Sequence, residues 1–342
     1  MVSLTEVKAA NASLHSTAPP GLVSVVVGGT NGIGKGFLYE LAKHTSNPKI
    51  YIVGRNEATL GKIIQDLKDV NLTGTYIPIL ASDLTLVSVV RKTTAQIITQ
   101  EKKIDLLFLS QGYLTLSGRD ESPEGLDRIS TIRYYGRMRF ILDLLPLLEA
   151  APSPRVVSVL AAGTEGTIYP DDLGLKQPNH HGAIVQTAAA VTYTTLFLEQ
   201  LAKLHPKVGF CHTHPGIVRT NIFNNAKFNP VFKFFVVWIL APTVMRLISI
   251  SAEEAGTRQL YVATSPAFVS AAEGASSRTE DALSKLALGT DGKRGSGAYM
   301  VGQKCQAVQK QELLQRYRDD GVDKKLWKHT VGELDRILGS GQ

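Results

Sequence analysis

From residue 22 to about residue 216, short apolar runs alternate with longer stretches whose apolar positions recur every three or four residues. The runs lie at 22–27, 49–53, 75–80, 105–109, 155–160 and 208–213. Continuous runs of this length signal strands buried on both faces, and the amphipathic stretches between them signal helices. One such helix runs to about residue 44 on Ile33, Phe37, Leu38 and Leu41, and the next carries Leu60, Ile63, Ile64 and Leu67. Others are expected up to about 102, from about 125 to 150 as one long helix, and over 183–204. Strand–helix alternation with right-handed crossovers predicts an α/β fold, a doubly wound parallel sheet with helices on both faces. Residues 298–301 supply a seventh strand. After Gly216 the alternation stops, and 221–250 reads as an apolar lid inserted into the domain. A helix is expected over 251–264, and the polar, glycine-rich stretch 274–297 as a mobile excursion. The chain therefore divides into a loosely held arm (1–20), one domain (21–304) and a helical tail (305–342) whose Leu314, Leu326, Trp327 and Leu334 pack it back on the domain.

The first apolar run ends in a Gly-x-x-x-Gly-x-Gly turn at Gly28, Gly32 and Gly34, and a helix follows. Gly28 permits the tight turn, Gly32 lets backbone approach a phosphate, and Gly34 lets the helix lie close on the strand. Together with Thr30, Asn31 and Ile33, this is a Rossmann-type cradle in which a helix N-terminus offers free N–H groups to a pyrophosphate. A site selective for NAD carries a carboxylate at the end of the second strand. Here Gly54-Arg55-Asn56 has none, and Arg55 suits a charge-assisted pair with a 2′-phosphate, so the expected cofactor is NADP(H).

The formal net charge of +7 is dispersed rather than blocked, which argues against nucleic acid and fits an anionic cofactor or substrate. Cys211 and Cys305 are the only cysteines, so no disulfide framework is implied and a reducing, cytoplasmic setting is expected. The first twenty residues hold no long apolar core, so no secretory signal is expected. The apolar window 230–250 is broken by Lys233, Pro242 and Arg246, which favours a buried or lid-like helix pair over contact with a membrane surface. Its phenylalanines and Trp238 point to a lipophilic small-molecule substrate. His212 and His214 share one face of a strand, Cys211 lies on the opposite face and no carboxylate is near in sequence, so no metal site is expected.

Several motifs together resemble the short-chain dehydrogenase/reductase superfamily over about residues 21–270. The Gly28, Gly32, Gly34 loop is similar to its cofactor loop, and Asp83-Leu84 to the pair it sets beside the adenine ring. Ser110-Gln111-Gly112 stands where the family has Asn-Asn-Ala-Gly, with only the glycine kept. The stretch Pro215-Gly216-Ile217-Val218-Arg219-Thr220 resembles its Pro-Gly-x-Val-x-Thr segment, whose threonine holds the cofactor. Within the superfamily the chain is most similar to the retinol-dehydrogenase-like branch and to a fungal subgroup of secondary-metabolite pathways, to which residues 118–127 also point. The resemblance implies an oxidoreductase, and the family's common dimer contact would involve helix positions such as Tyr134, Arg137 and Arg139.

The family's catalytic Asn, Ser, Tyr and Lys fall on Arg133, Ala161, Thr187 and Val191. Register does not explain this. No lysine lies between Lys176 and Lys203, Tyr193 is the only tyrosine between Tyr169 and Tyr261, and no serine lies between Ser158 and Ser249. Two chemistries stay open. One is a reductase with a substitute proton donor, for which Tyr193, Tyr169, Tyr134, Tyr135, His180 and His181 are candidates, with Thr187 or Thr164 orienting the substrate. The other keeps the cofactor fold without hydride transfer, as an isomerase, cyclase or pericyclase that works by positioning and electrostatics, or as an inactive binding protein. In that case Arg133 is a cation inserted in the site, able to polarise a carbonyl or enolate.

Overall fold

The computed structural model describes residues 1–115, 118–219, 249–277 and 279–339. Its centre is a parallel sheet of β1 (Val23–Val27), β2 (Lys49–Gly54), β3 (Thr75–Leu80), β4 (Leu106–Leu109), β5 (Arg155–Val159), β6 (Gly209–Thr213) and β7 (Ala298–Val301), in the order β3-β2-β1-β4-β5-β6-β7. Strand order reverses beside β1, between β1 and β4. In an open parallel sheet, that crevice at the carboxyl ends is where ligands bind.

Successive residues of each strand feed opposite faces. Val25 and Val27 of β1, Tyr51 and Val53 of β2, and Leu107 and Leu109 of β4 enter one apolar cluster. Val26, Ile50, Ile52, Leu106 and Phe108 enter the other. This two-sided burial is why the strands read as unbroken apolar runs. On the second face lie helices α2 (Gly32–His44) and α3 (Glu57–Val70), whose buried residues are those of the 3.6-residue stripe, and Phe37 of α2 stacks on Phe108 at 3.8 Å. The first face carries α4 (Val87–Ile98), α5 (Gly136–Glu149) and the 22-residue α6 (Ala183–Leu204).

Three expectations change. The N-terminal arm is not loosely held. It contains helix α1 (Leu4–Ala12), started by a Ser3–Glu6 capping box, with Val7 and Asn11 fully buried. Asn11 Nδ2 donates to the Thr257 carbonyl of α7 (Ala252–Thr264) at 2.8 Å. The helix expected over 125–150 is not continuous, because a π-helical turn, Thr131–Tyr135, precedes α5. The stretch 274–297 is packed at its two ends rather than free: a Cβ on Gly274 would sit 2.0 Å from the Gly295 carbonyl and Thr290 is buried, while the helical turn Glu280–Lys285 between them has no buried residue. Its glycines serve close backbone contact, which a composition count reads as looseness. Of the helix positions tied to the family's common dimer contact, Tyr134 and Arg137 are buried inside the chain and Arg139 is half-buried. The tail covers Tyr134 as expected of an element that packs back: α9 (Val322–Leu338), which follows α8 (Gln311–Asp319), places Thr330 Oγ1 2.6 Å from Tyr134 Oη and stacks Trp327 on Phe197 of α6. A two-residue parallel pair, Val218–Arg219 with Ile250–Ser251, flanks the proposed lid, and the lid residues 221–248 lie outside the described residues. Among the described residues no helix is long and apolar enough to cross a membrane.

Candidate functional site

A cavity of about 640 Å³ opens at the carboxyl ends of β1, β2 and β4, at the point where strand order reverses. It brings together Gly28, Thr30, Asn31, Gly32, Ile33, Gly34, Arg55, Asp83, Leu84, Ser110 and Gly112 from four separate loops. The turn after β1 has the backbone that the glycine spacing requires. Gly28 and Gly32 have φ of +85° and +54°, in the left-handed region. Gly34 is needed for space, since a Cβ there would lie 2.4 Å from the Gly28 carbonyl oxygen and 2.5 Å from Ser110 Oγ. Asn31 caps α2 through its side chain, which accepts from the Gly32 N–H at 2.7 Å.

Asp83 does not present a free carboxylate to the cavity. Its Oδ1 accepts from the Thr85 N–H and hydroxyl, and its Oδ2 from Arg128 Nη1 at 3.0 Å. Arg128, Thr85, Gln111, Tyr113 and Ile132 also line the cavity, and the sequence reading omitted them as site residues. Gln111 was within reach, flanked by Ser110 and Gly112. Arg128 and Ile132 had no local signal, because they arrive from an element about 45 residues beyond Asp83. The Ser110 hydroxyl is committed to the Val27 carbonyl at 3.0 Å.

Three expected cofactor positions do not line the cavity. Asn56 is the N-cap of α3, with its side chain accepting from the Thr59 N–H. Pro215 and Gly216 follow β6, where a Cβ on Gly216 would run into the Gln303 side chain. Thr220 lies outside the described residues.

The positions expected to carry the reaction are more changed. Thr187 Oγ1 donates to the Ala183 carbonyl at 2.6 Å and accepts from Arg133 Nη1 at 3.1 Å, so its proton is already committed. Val191 is fully buried apolar core. Ala161 offers no polar group, and its carbonyl accepts from the Thr164 hydroxyl. Tyr193, six residues beyond Thr187 on α6, does not line the cavity and packs edge-to-face on Tyr134 in the core. Burial pushes its phenol well above the ordinary value, and its Oη has no hydrogen-bond partner among the described residues. It is a core aromatic, not a proton donor at this cavity. Tyr134 and Tyr135 are equally buried, and their hydroxyls meet Thr330 and His329 of the tail. His180 is held by Asp172 at 2.7 Å and stacks on Tyr169, which makes the pair a loop brace. His181 keeps both ring nitrogens buried without a partner among the described residues and does not line the cavity.

Behind the cavity wall sit two guanidiniums, one helical turn apart. Arg133 lies in the π turn and donates to Thr187 Oγ1 and, at 3.2 Å, to the Tyr113 carbonyl. Arg137 is fully buried and donates to Ser158 Oγ, the Val159 carbonyl and the Gln111 carbonyl at 2.6–2.9 Å. Burial lowers both, Arg137 to about 9 with the Arg133 charge adding to the effect, yet a guanidinium stays protonated at neutral pH.

Below them, Thr195 Oγ1 donates to Glu165 at 2.8 Å and lies 2.8 Å from His212 Nδ1. Burial, then the Arg137 and His214 positions, push His212 down to about 3. An unfolded histidine titrates near 6.5. Below that pH the unfolded chain binds a proton that the native state refuses until about pH 3, so stability is full above 6.5 and falls as pH falls. Between pH 6.5 and 5 the loss from this residue is about 2 kcal/mol. Glu165, whose carboxyl burial raises, gives the opposite slope. The test is therefore a difference: urea melts of wild type and His212→Asn at pH 7 and 5, in which the wild type is expected to lose about 2 kcal/mol more than the variant.

A family sequence model described as short chain dehydrogenase matches residues 22–168. Oxidoreductase AN1596 of Emericella nidulans is 37% identical over 99% of both chains. The short-chain dehydrogenase/reductase SAT2 of Stachybotrys chartarum is 32% identical over 98% of both. Among solved structures, L-sorbose reductase from Gluconobacter frateurii, complexed with NADPH and L-sorbose, superposes with a TM-score of 0.53 at 17% identity, covering 72% of this chain and 90% of that one. A short-chain type dehydrogenase/reductase from Mycobacterium marinum superposes with a TM-score of 0.54, also at 17% identity, covering 77% and 93%. The solved structures share the fold, and the full-length relatives show that this chain belongs to the short-chain dehydrogenase/reductase family.

Proposed function

We propose that the chain is an NADP(H)-dependent oxidoreductase acting on a lipophilic small molecule of the secondary-metabolite kind, through an active site without the family's usual acid–base set. The observation that carries the cofactor reading is the glycine-lined cavity, whose wall leaves no room for a Cβ: one at Gly28 would lie 2.8 Å from the Gln111 amide nitrogen and one at Gly34 2.4 Å from the Gly28 carbonyl oxygen. Its 640 Å³ suits a dinucleotide-sized ligand. The Gly28–Gly34 turn and the α2 N-terminus would hold the pyrophosphate, Leu84 and the Asp83–Arg128 pair would flank the adenine, and exposed Arg55, without an ion pair among the described residues, would meet the 2′-phosphate. When bound, the nicotinamide supplies or accepts a hydride. NADPH complexes are known for structural neighbours of the family, among them the Gluconobacter reductase.

The expected result of titrating the purified protein is that NADPH binds more tightly than NADH, and that Arg55→Ala weakens NADPH at least tenfold while leaving NADH nearly unchanged, the arginine being specific to the extra phosphate. Failure of either nucleotide to bind would remove the reductase reading.

A non-redox reading is favoured by one observation: the Thr187 hydroxyl proton is committed and Tyr193 faces the core, so neither donates to a substrate at this cavity. The two readings separate by stoichiometry, since a reductase consumes one NADPH per product and an isomerase or cyclase consumes none.

A further inference from the structure

We propose that Arg133, backed by Arg137, forms a preformed site for an ionised oxygen of the substrate, and that the substrate is a lipophilic carbonyl compound bearing a carboxylate or enolate. This deepens the reading above and rests on it for the place of the substrate beside the cofactor cavity.

Three observations converge. The first is the charge. Both guanidiniums are buried, Arg133 at 8% exposure and Arg137 at 2%, and all their hydrogen bonds go to neutral oxygens. Among the described residues neither forms an ion pair. Buried charges are ordinarily paired, and two like charges a turn apart repel. The Asp127 carboxylate acts on Arg133 only through space, its oxygens accepting from the Asp120 and Ser130 N–H groups and the Ser130 hydroxyl, so no carboxylate is bonded to either guanidinium among the described residues. The second is the backbone. Arg133 is the middle residue of the π turn, Thr131–Tyr135, which interrupts what the sequence would otherwise form as one helix. Such turns are rare, and they re-aim the side chains they carry. The third is preorganisation. The two ends of the Arg133 fork are fixed by Thr187 Oγ1 and the Tyr113 carbonyl, and Thr187 is fixed in turn by Ala183. Each terminal nitrogen of the fork keeps a second N–H for a ligand. Gln111, Tyr113 and Ile132, which neighbour the two arginines, line the cofactor cavity, so the Arg133 guanidinium lies directly behind the wall that they form.

A planar guanidinium with paired N–H groups matches a carboxylate or enolate oxygen set and binds it with charge-assisted hydrogen bonds, strengthened where water is excluded. Arg137 touches only protein and is a positioning residue that raises the local positive potential. Thr187 is a positioning residue for Arg133.

The experiment uses the full chain and two probes of one shape, benzoate and benzamide, titrated calorimetrically with and without saturating NADPH. Wild type is expected to bind benzoate at least tenfold more tightly than benzamide. Arg133→Met is expected to bring the ratio below twofold with NADPH affinity and melting temperature retained, and Arg133→Lys to keep a reduced preference. Thr187→Val, which keeps the volume and removes the oxygen that orients the guanidinium, is expected to lower the ratio about threefold. Equal affinity for the probes in wild type, no benzoate binding at millimolar concentration, or a preference unchanged in Arg133→Met overturns the proposal. If Arg133→Met does not fold, Thr187→Val decides: an unchanged ratio there overturns it. A benzoate preference without NADPH binding would leave this site standing and sink the cofactor reading instead, so the two failures are distinct.

Discussion

Gly34→Val is expected to lower NADPH affinity at least a hundredfold while leaving the chain folded. Position 34 is where the first turn of α2 passes over the end of β1. Any Cβ there falls 2.4 Å from the Gly28 carbonyl oxygen and 2.5 Å from Ser110 Oγ, distances that real Cβ atoms do not show. Ser110 cannot swing away freely, because its hydroxyl is bonded to Val27 in the same crowded corner. The helix start must therefore lift. Its amides then leave the line along which they would meet a pyrophosphate. A hundredfold loss corresponds to about 2.7 kcal/mol of binding, the scale of a lost charge-assisted hydrogen-bond set. Fluorescence titration with NADPH measures it, and a far-UV circular dichroism spectrum like that of wild type shows that the fold persists. An affinity within threefold of wild type would mean that the glycine loop does not hold the nucleotide.

The second large effect is on stability. Gly256→Leu is expected to cost about 3 kcal/mol or more, because α2 and α7 cross with their backbones in contact. A Cβ on Gly256 would lie 2.2 Å from the Gly36 carbonyl carbon and 2.5 Å from the Phe37 amide nitrogen. Reciprocally, a Cβ on Gly36 would meet the Ala252 carbonyl oxygen at 2.2 Å. Both obstacles are helix backbone, which cannot adjust by a rotamer change. Separating the helices would also undo the burial of Phe37, stacked on Phe108, and of Leu260. The internal control is Gly61→Ala in α3, where an added Cβ meets nothing within 4 Å and φ is ordinary. That change should raise stability by about 0.5–1 kcal/mol through helix propensity and a less flexible unfolded chain. Urea melts of the three proteins compare the effects directly. A Gly256→Leu protein within 1 kcal/mol of wild type would contradict the close crossing.

These two glycines also mark how far the sequence could be read. Gly34 belongs to a spacing with a local meaning, legible beside an apolar strand and an amphipathic helix. Gly256 is a glycine in the middle of a helix, which local propensity reads only as a weakness. Its reason is a partner about 220 residues away in the chain. The same division runs through the site. The turn 28–34, the Arg55 position and Asp83-Leu84 were legible because each is fixed by its own strand end. Arg128, which reaches Asp83 across the fold, was not.

The sequence by itself determined the seven parallel strands, their order of appearance, the helices between them apart from the break before Gly136, and the glycine cradle. Each follows from a periodicity or a backbone requirement within about ten residues, and such signals do not depend on what packs against them. Only the tertiary structure decided three other things: that Tyr193 is core, that the Thr187 proton is committed, and that Arg133 sits in a π turn beside a second buried arginine. These depend on which face of a helix meets the sheet and on hydrogen bonds such as Arg133 to Thr187, 54 residues apart, for which the linear pattern carries no sign. Burial and long-range polar pairing assign those roles, and both exist only once the chain has closed on itself.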